Sequence, residues 1–552
     1  MQKIKDLIIK IVLELEYPNV EFVVEHPRDE KMGDYSVNVA MVLTKQVGKK
    51  PREIADQIVE ELKTDKEFSQ SIEKMEVAGA GFINFYLKRE FFLSEVQKAT
   101  LPGYGESKKL KGQKTFVEFT DPNPFKEFHI GHLMSNTIGE SLARILEANG
   151  ATVKRANYQG DVGLHVAKSI WGWQKKMLED KKNLDDLRGL TLKERINYLG
   201  QAYAYGAGKY EVEDGAKAEM NSLNKEIYDG LNHKSGKSGP VMELYHEGRA
   251  WSLEYFETIY SRLGTKFDEY FFESEAGPVG LLVVDEGLKK GVLEVGKESA
   301  VVFPGEKYGL HTRVFRNKLG LPTYEAKDLG LAKTKWERWH YDRSYIVTAN
   351  EIDEYFKVLL KTLSLLYPEL AEKTTHLSHG MMKLTTGKMS SRTGKVVTGE
   401  GLLNELKDVV MKKMGERNIN DREIVADTVA VSALKYTVLK QAVGGDITYE
   451  PDKITNMEGD TGPYLQYTYA RTQSVLKKAG IDITRFLTLL DPLQGTEPCN
   501  AEELSVLKWV YRYPEVVSNA CDKYAPHMIA GYVYELGQRF NTFYNQHKIV
   551  DN

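Results

Sequence analysis

Two histidines flank a glycine in Phe128-His129-Ile130-Gly131-His132, at the point where a β-rich run gives way to helical spacing. Imidazoles at a helix N-terminus suit a polyphosphate. Backbone N–H groups and the helix dipole favour anions there, the imidazoles donate to developing charge, and Gly131 lets a planar base approach the backbone. A histidine pair alone also serves as two satisfied polar side chains at a cap, and as a zinc site it lacks a third ligand nearby. About 260 residues downstream comes Gly387-Lys388-Met389-Ser390-Ser391-Arg392-Thr393-Gly394-Lys395. This polar loop, bracketed by glycines, presents cations to phosphate.

The elements around these residues must position them. Thr115 to Thr120 is a β-rich run that turns through Asp121-Pro122-Asn123-Pro124. A helix then carries Ile138, Leu142, Ile145 and Leu146 towards Gly150. Strand, turn and helix open a parallel α/β sheet of the Rossmann-like kind. Residues 171–263 are charge-rich with helical spacing, an expected insertion, and strand patterns return at 300–303 and 345–348. Ahead of this core, Ile4, Leu7, Ile8, Ile11, Val12 and Leu15 recur at helical spacing until Pro18. Pro51 opens a second helix with Ile54, Ala55, Ile58, Val59 and Leu62 on one face, and Phe82 to Leu87 reads as a strand. From Leu402 onward the spacing is helical, and the last hundred residues read as a Tyr-rich, all-α bundle. The division expected is 1–105 for a small α/β domain and 106–400 for the α/β core with its insertion. Connecting helices follow over 401–455, and the helical end over 456–552.

Length and composition agree with this division. At about 150 residues per domain, 552 residues make three or four domains. With 41% apolar and 28% charged residues, collagen-like, disulfide-scaffold and wholly disordered chains are excluded. A net charge of −4 excludes a bulk polycation but not nucleic acid, which needs only a locally basic face. Cys499 and Cys521 are too few for a disulfide framework or a Cys-based zinc site. No apolar run approaches a membrane span, and charges interrupt the N-terminal apolar residues, so the expectation is a cytoplasmic protein without a signal peptide.

His-Ile-Gly-His followed by Lys-Met-Ser-Ser-Arg resembles the two-part signature of class I aminoacyl-tRNA synthetases. Further words narrow the resemblance to arginyl-tRNA synthetases: Glu118-Phe-Thr-Asp-Pro-Asn123, Tyr158-Gln-Gly-Asp-Val-Gly163, Thr323-Tyr-Glu-Ala-Lys-Asp-Leu-Gly330 and Gly459-Asp-Thr-Gly-Pro-Tyr-Leu-Gln-Tyr467. Gly33-Asp-Tyr-Ser36 and Gly79-Ala-Gly-Phe-Ile-Asn84 are similar to that family's extra N-terminal, tRNA-contacting domain.

The resemblance implies a ligase that takes L-arginine, ATP with Mg2+ as substrate complex, and tRNA(Arg), working as a monomer with no protein-bound metal. Glu118, Tyr324 and Asp328 would grip the guanidinium, whose five donors call for carboxylates and a phenolic oxygen. Tyr324 and Asp328, four apart, share a face if this stretch is helical. Asp121, Asn123 and Glu351 would hold the α-amino end. His129, Gly131, His132, Lys388, Met389, Ser390 and Ser391 would take ATP, with His129, His132 and Lys388 stabilising the transition state. Tyr464, Tyr467 and Arg471, at helical spacing, and Tyr544 would meet anticodon bases.

Two departures stand out. The class pattern has a second lysine where this chain has Ser391, and Lys126, three residues before His129, is the candidate to supply that charge, ahead of Arg392 and Lys395. Family chains continue to a final Arg-Met, whereas this one stops at Val550-Asp551-Asn552, so a C-terminally shortened bundle is expected. Two rivals remain open at this point, a class I synthetase for another amino acid and a non-catalytic tRNA-binding paralogue.

Overall fold

The computed structural model describes residues 1–232, 239–384, 398–416, 420–480 and 499–549. Contacts divide the chain into two units. One comprises Met1–Glu106, Thr468–Val516 and Tyr532–Asn552, and the other Ser107–Tyr467 and Val517–Gly531.

The first unit begins with α1 (Gln2–Glu14), whose apolar spacing buries Ile4, Ile8, Ile11 and Val12 on one face. Strands β1 (Val24–Glu25) and β2 (Tyr35–Val37) follow, then α2 (Pro51–Thr64). Pro51 sits in the first turn of α2, where a missing N–H removes no hydrogen bond, and all five expected apolar residues of that helix are buried. With β3 (Ile72–Ala78) and β4 (Phe82–Leu87), an antiparallel sheet forms in the order β1-β2-β4-β3. The core of this small α/β part also takes in Leu504, Leu507 and Tyr511 from far along the chain.

The second unit is built on β5 (Lys114–Glu118), α3 (Ile130–Ala148) and β6 (Thr152–Gln159). After β6, helices α4 (Leu164–Glu179), α5 (Leu192–Val212), α6 (Asp214–Asn232) and α7 (Pro240–Leu263) intervene before β7 (Glu269–Phe272). Helical structure therefore starts at Leu164, ahead of the expected 171, and these helices carry a core of their own around Ile170, Trp173, Leu199, Ile227, Tyr245 and Trp251. Helix α8 (Glu273–Lys289) leads to a separate three-stranded antiparallel sheet, which holds the expected strand as Val301–Phe303. Then come α9 (Tyr324–Arg338), β8 (Arg343–Ala349), α10 (Asp353–Leu366), β9 (Thr374–His379) and β10 (Met382–Leu384).

All pairings in the main sheet are parallel, in the order β9-β8-β5-β6-β7. The chain steps from β5 outward to β7, then returns to the other side of β5 with β8. That reversal makes a crevice beyond the carboxyl ends of β5 and β8, where open α/β sheets bind ligands. One face of the sheet packs Val117, Tyr345 and Val347 against Leu133, Leu142 and Leu146 of α3. The opposite alternation puts Phe116, Ala156 and Phe271 in a second core with Leu331 and Tyr341.

Helices α11 (Gly399–Met414) and α12 (Arg422–Leu439) join the α3 side of this core through Leu402, Leu406, Ala433 and Leu434. Strand β11 (Ile447–Tyr449) pairs with β10. The chain ends in α13 (Gly462–Lys478), α14 (Ala501–Asp522) and α15 (His527–Gln546). Among the described residues, no helix is long and apolar enough to cross a membrane.

Candidate active site

The turn leaving β5 is under backbone strain. Thr120, Asp121 and Phe125 have φ of 80°, 46° and 66°, a left-handed region that β-branched and bulky residues rarely enter. Hydrogen bonds from several elements hold it there. Thr120 N donates to Ser135 Oγ at 2.9 Å, Asn136 Nδ2 to Thr120 Oγ1 at 3.0 Å, and Phe125 N to Ser252 Oγ at 3.0 Å. Asp121 Oδ1 accepts from Tyr158 N at 2.8 Å on β6. Asn123 packs so tightly on the β6 turn that a Cβ on Gly160 would lie 2.1 Å from Asn123 Oδ1.

This turn delivers His129 to the N-cap of α3. Its Nδ1 accepts from Gly131 N at 3.1 Å, and His132 Nδ1 accepts from His129 N at 3.2 Å. The two rings stack with centroids 3.6 Å apart. Gly131 is needed here, because a Cβ would come within 3.0 Å of the His129 ring. With Nδ1 committed as acceptor in both, a neutral imidazole carries its proton on Nε2. Burial and the charge of Lys126 hold His129 down to about 4, although one edge meets solvent, and burial with His129 and Lys126 holds His132 well below the usual range. Both are neutral at pH 7, so the site offers two Nε2–H donors and no imidazolium. The nearby cation is Lys126, its Nζ 5.4 Å from the Tyr203 ring of α5, with its own pKa lowered by burial.

Below the turn lies a pocket rich in carboxylates. Tyr324 and Asp328 do share a face of α9. Asp328 accepts from Tyr355 OH at 2.5 Å, and burial next to Glu118, Glu273 and Glu325 pushes it up to about 8 despite that bond. Asp121 is raised well above the carboxylate range by burial and by Glu118. Tyr324, by contrast, is more than half exposed, and Glu351 is exposed in a short turn after β8. Glu118 is buried with Lys335 Nζ 2.6 Å from Oε2, so its charge is matched from within the chain.

Several residues that the sequence did not single out complete the pocket. Glu273 opens α8 and pairs with Lys327 at 2.5 Å, both almost fully buried. Asp161, at 0% exposure, accepts from Arg249 Nε, Ser274 N and Ser274 Oγ at 2.8–2.9 Å. It locks the turn after β6 to α7 and α8. Asp161 lies within Tyr158-Gln-Gly-Asp-Val-Gly163, but Glu273 follows β7 with no local signature. Its position at the carboxyl end of a parallel strand was the missing signal.

Lys388, Met389, Ser390 and Ser391, with Arg392 and Lys395, lie outside the described residues. The chain just beyond them returns to the histidine turn: Thr398 bridges to His129, and Gly399 N donates to Phe128 O at 2.6 Å. Among the described residues no three His, Cys, Asp or Glu side chains are grouped to hold a metal ion. Tyr464, Tyr467 and Arg471 all lie on α13. In the first unit the Arg471 guanidinium stands 4.7 Å from the Tyr544 ring and donates to Asn541 Oδ1 at 2.5 Å.

A crevice at the switch point, entered by a capped His-Ile-Gly-His helix, is the architecture of the class I aminoacyl-tRNA synthetases. The family model described as the class I (R) tRNA synthetase catalytic domain matches residues 95–450. Models for the arginyl-tRNA synthetase N-terminal domain and the DALR anticodon-binding domain match residues 2–87 and 465–552. The chain belongs to the arginyl-tRNA synthetase family. It is 30% identical to an arginine–tRNA ligase of Treponema denticola over 537 residues, covering 96% of this chain and 88% of that one. With a Fusobacterium nucleatum arginine–tRNA ligase it shares 32% identity over 531 residues, covering 95% and 88%. The fold is similar to arginyl-tRNA synthetase structures from Thermus thermophilus (TM-score 0.77, 23% identity, 99% of this chain and 92% of that one) and Plasmodium falciparum (TM-score 0.78, 20% identity, 100% and 93%).

Proposed function

We propose that the chain activates L-arginine with MgATP and transfers it to the 3′ end of tRNA(Arg), acting as a cytoplasmic monomer. In the first step the arginine carboxylate attacks the α-phosphate, forming arginyl-adenylate and releasing pyrophosphate. In the second the terminal ribose hydroxyl attacks the activated carbonyl and AMP leaves. Neither step needs a protein nucleophile, so catalysis is positioning and charge stabilisation.

The observation that carries this reading is the pair of half-buried carboxylates, Asp121 and Asp328, both pushed up by desolvation at the switch point. A ligand with two cationic ends, a guanidinium and an α-ammonium, matches them. Asp328 and Tyr324 grip the guanidinium with Glu118 behind them, and Asp121, Asn123 and Glu351 receive the α-amino end. A synthetase for an apolar amino acid would leave those carboxylates unpaired. The Nε2–H groups of His129 and His132 donate to the phosphates, Gly131 makes room for the base, and Lys388, Met389, Ser390 and Ser391 take the triphosphate. Lys126 supplies the cation that Ser391 does not. Tyr464, Tyr467, Arg471 and Tyr544 receive anticodon bases by stacking.

Aminoacylation of total tRNA with labelled arginine tests the reading. ATP–pyrophosphate exchange across the amino acids, run with tRNA present, rejects it if another amino acid is activated; tRNA binding with no adenylate formed would favour a non-catalytic paralogue. Lys126→Ala is expected to depress exchange as severely as Lys388→Ala, and near-normal exchange would remove Lys126 from the mechanism.

A further inference from the structure

The substrate pocket contains two internal lysines, and each consumes one carboxylate. Lys335 Nζ stands 2.6 Å from Glu118 Oε2 and 3.0 Å from Ser344 Oγ, against the sheet. Lys327 Nζ stands 2.5 Å from Glu273 Oε2, 5.2 Å from the Tyr324 ring and 5.9 Å from the Tyr228 ring. Lys327 is only 3% exposed and Glu273 4%. The four side chains form two matched pairs, and Arg313 stands 3.5 Å from Glu325, so among the described residues the carboxylates left to a ligand are Asp328 and Asp121, one for each charge of a dibasic amino acid. A second observation points to a ligand beside them. Tyr158 is 9% exposed and its hydroxyl, near the carboxylates of Asp328 and Glu273, has no hydrogen-bond partner among the described residues.

We propose that Lys327 sets the charge of this pocket: its ammonium closes on Glu273, so that Asp328 alone remains to meet the single positive charge of the substrate's guanidinium. Lys327 acts through Glu273 and is a positioning residue for specificity. The inference rests on the reading of the pocket as an arginine site.

Other charges around the pair do not replace it. Glu273 also feels Asp161, which Arg249 already engages, and Lys126 across the turn. Lys327 feels Tyr228 from α6 as well as Glu273. Asp328 is faced by Tyr355, Glu118, Glu273 and Glu325, and His165 of α4 is held neutral by burial at about 3. Without the ammonium of Lys327, Glu273 would be a second uncompensated carboxylate beside Asp328. It would take up a proton in the empty pocket and have to lose it when arginine enters.

Three substitutions separate charge from packing. Lys327→Arg keeps charge and donor, Lys327→Gln keeps a donor only, and Lys327→Met keeps neither. In arginine-dependent ATP–pyrophosphate exchange with tRNA present, the Arg variant is expected to hold a KM for arginine within about threefold of wild type. The Gln and Met variants are expected to raise that KM by about tenfold near pH 7 and to recover as pH rises towards about 9, with a much smaller change in kcat. If the Gln variant tracks the Arg variant at every pH, charge is irrelevant and the proposal falls. Should the neutral variants not fold, the wild type still decides. Calorimetry of arginine binding in two buffers of different ionisation enthalpy should show release of no more than about two protons near pH 7, from Asp328 and Asp121, and release of about three would mean that Glu273 is not neutralised by Lys327. Wild type that activates a different amino acid would instead remove the arginine reading beneath.

Discussion

The two units each bury carboxylates and treat them in opposite ways. In the unit that holds the N-terminal sheet, Glu515 receives Tyr35 OH at 2.8 Å, His26 Nε2 at 2.9 Å and the Met1 amine. Burial alone would raise it, yet His26 and the N-terminal ammonium pull its carboxyl down to about 2. In the other unit Asp328 has a phenol but no cation among the described residues, and desolvation leaves it at about 8. A structural carboxylate finds its partners within the chain. A binding carboxylate is desolvated ahead of time and completed from outside, which is why perturbed ionisation gathers at functional sites.

The largest expected break in this comparison is Asp328→Asn. If Asp328 meets the guanidinium as proposed, losing its charge should cut kcat/KM for arginine by about a thousandfold, roughly 4 kcal/mol, in pyrophosphate exchange. The same change should not lower the thermal midpoint, because a half-buried carboxylate with a raised pKa destabilises the fold once pH exceeds its unfolded pKa. A midpoint that drops by many degrees would make Asp328 structural.

Glu515→Gln should do the reverse, with little effect on arginine activation and a loss of about 3 kcal/mol of stability at neutral pH. Its folded pKa is depressed, so that stability exists above the ordinary carboxylate pKa and disappears as pH falls from about 4.5 through about 2. Melting curves of wild type and variant should therefore converge over that window. A constant gap down to the lowest pH would point to packing instead.

Gly160→Ala tests how tightly the strained turn is set. A Cβ 2.1 Å from Asn123 Oδ1 must displace that side chain, with an expected rise in the KM for arginine of about tenfold to thirtyfold. The smallest effect is the pH dependence of the wild type. Asp328 must ionise to bind a cation, so the KM for arginine should fall by up to about tenfold between about pH 7 and 9 and then level off. A flat profile would mean that Asp328 is already ionised in the empty pocket.

Much of the framework was legible without coordinates. The spacing in α1 and α2 located their buried faces, because a helix face depends on neighbours three and four residues away. The spacing of Tyr324 and Asp328 placed them on one helix face for the same reason. Other features were not local. Nothing near Glu118 announces Lys335, and nothing near Glu273 announces Lys327, since these pairs form between sheet and helices distant in sequence. Leu504, Leu507 and Tyr511 joining the N-terminal core was equally invisible, because burial by remote apolar residues leaves no periodic trace at either end.

By itself, the sequence determined the chemistry available: a histidine pair at a helix start, a lysine loop, carboxylates in a fixed order, and the family these imply. Tertiary structure decided the state of those groups. It made His129 and His132 neutral donors through the hydrogen bonds of one helix cap, and it removed Glu118 from the carboxylates left free for a cation. It also left Asp328 without a cationic partner among the described residues. Residue type sets which charges are possible, whereas desolvation and the nearest opposite charge, both products of the packed fold, decide which of them are present.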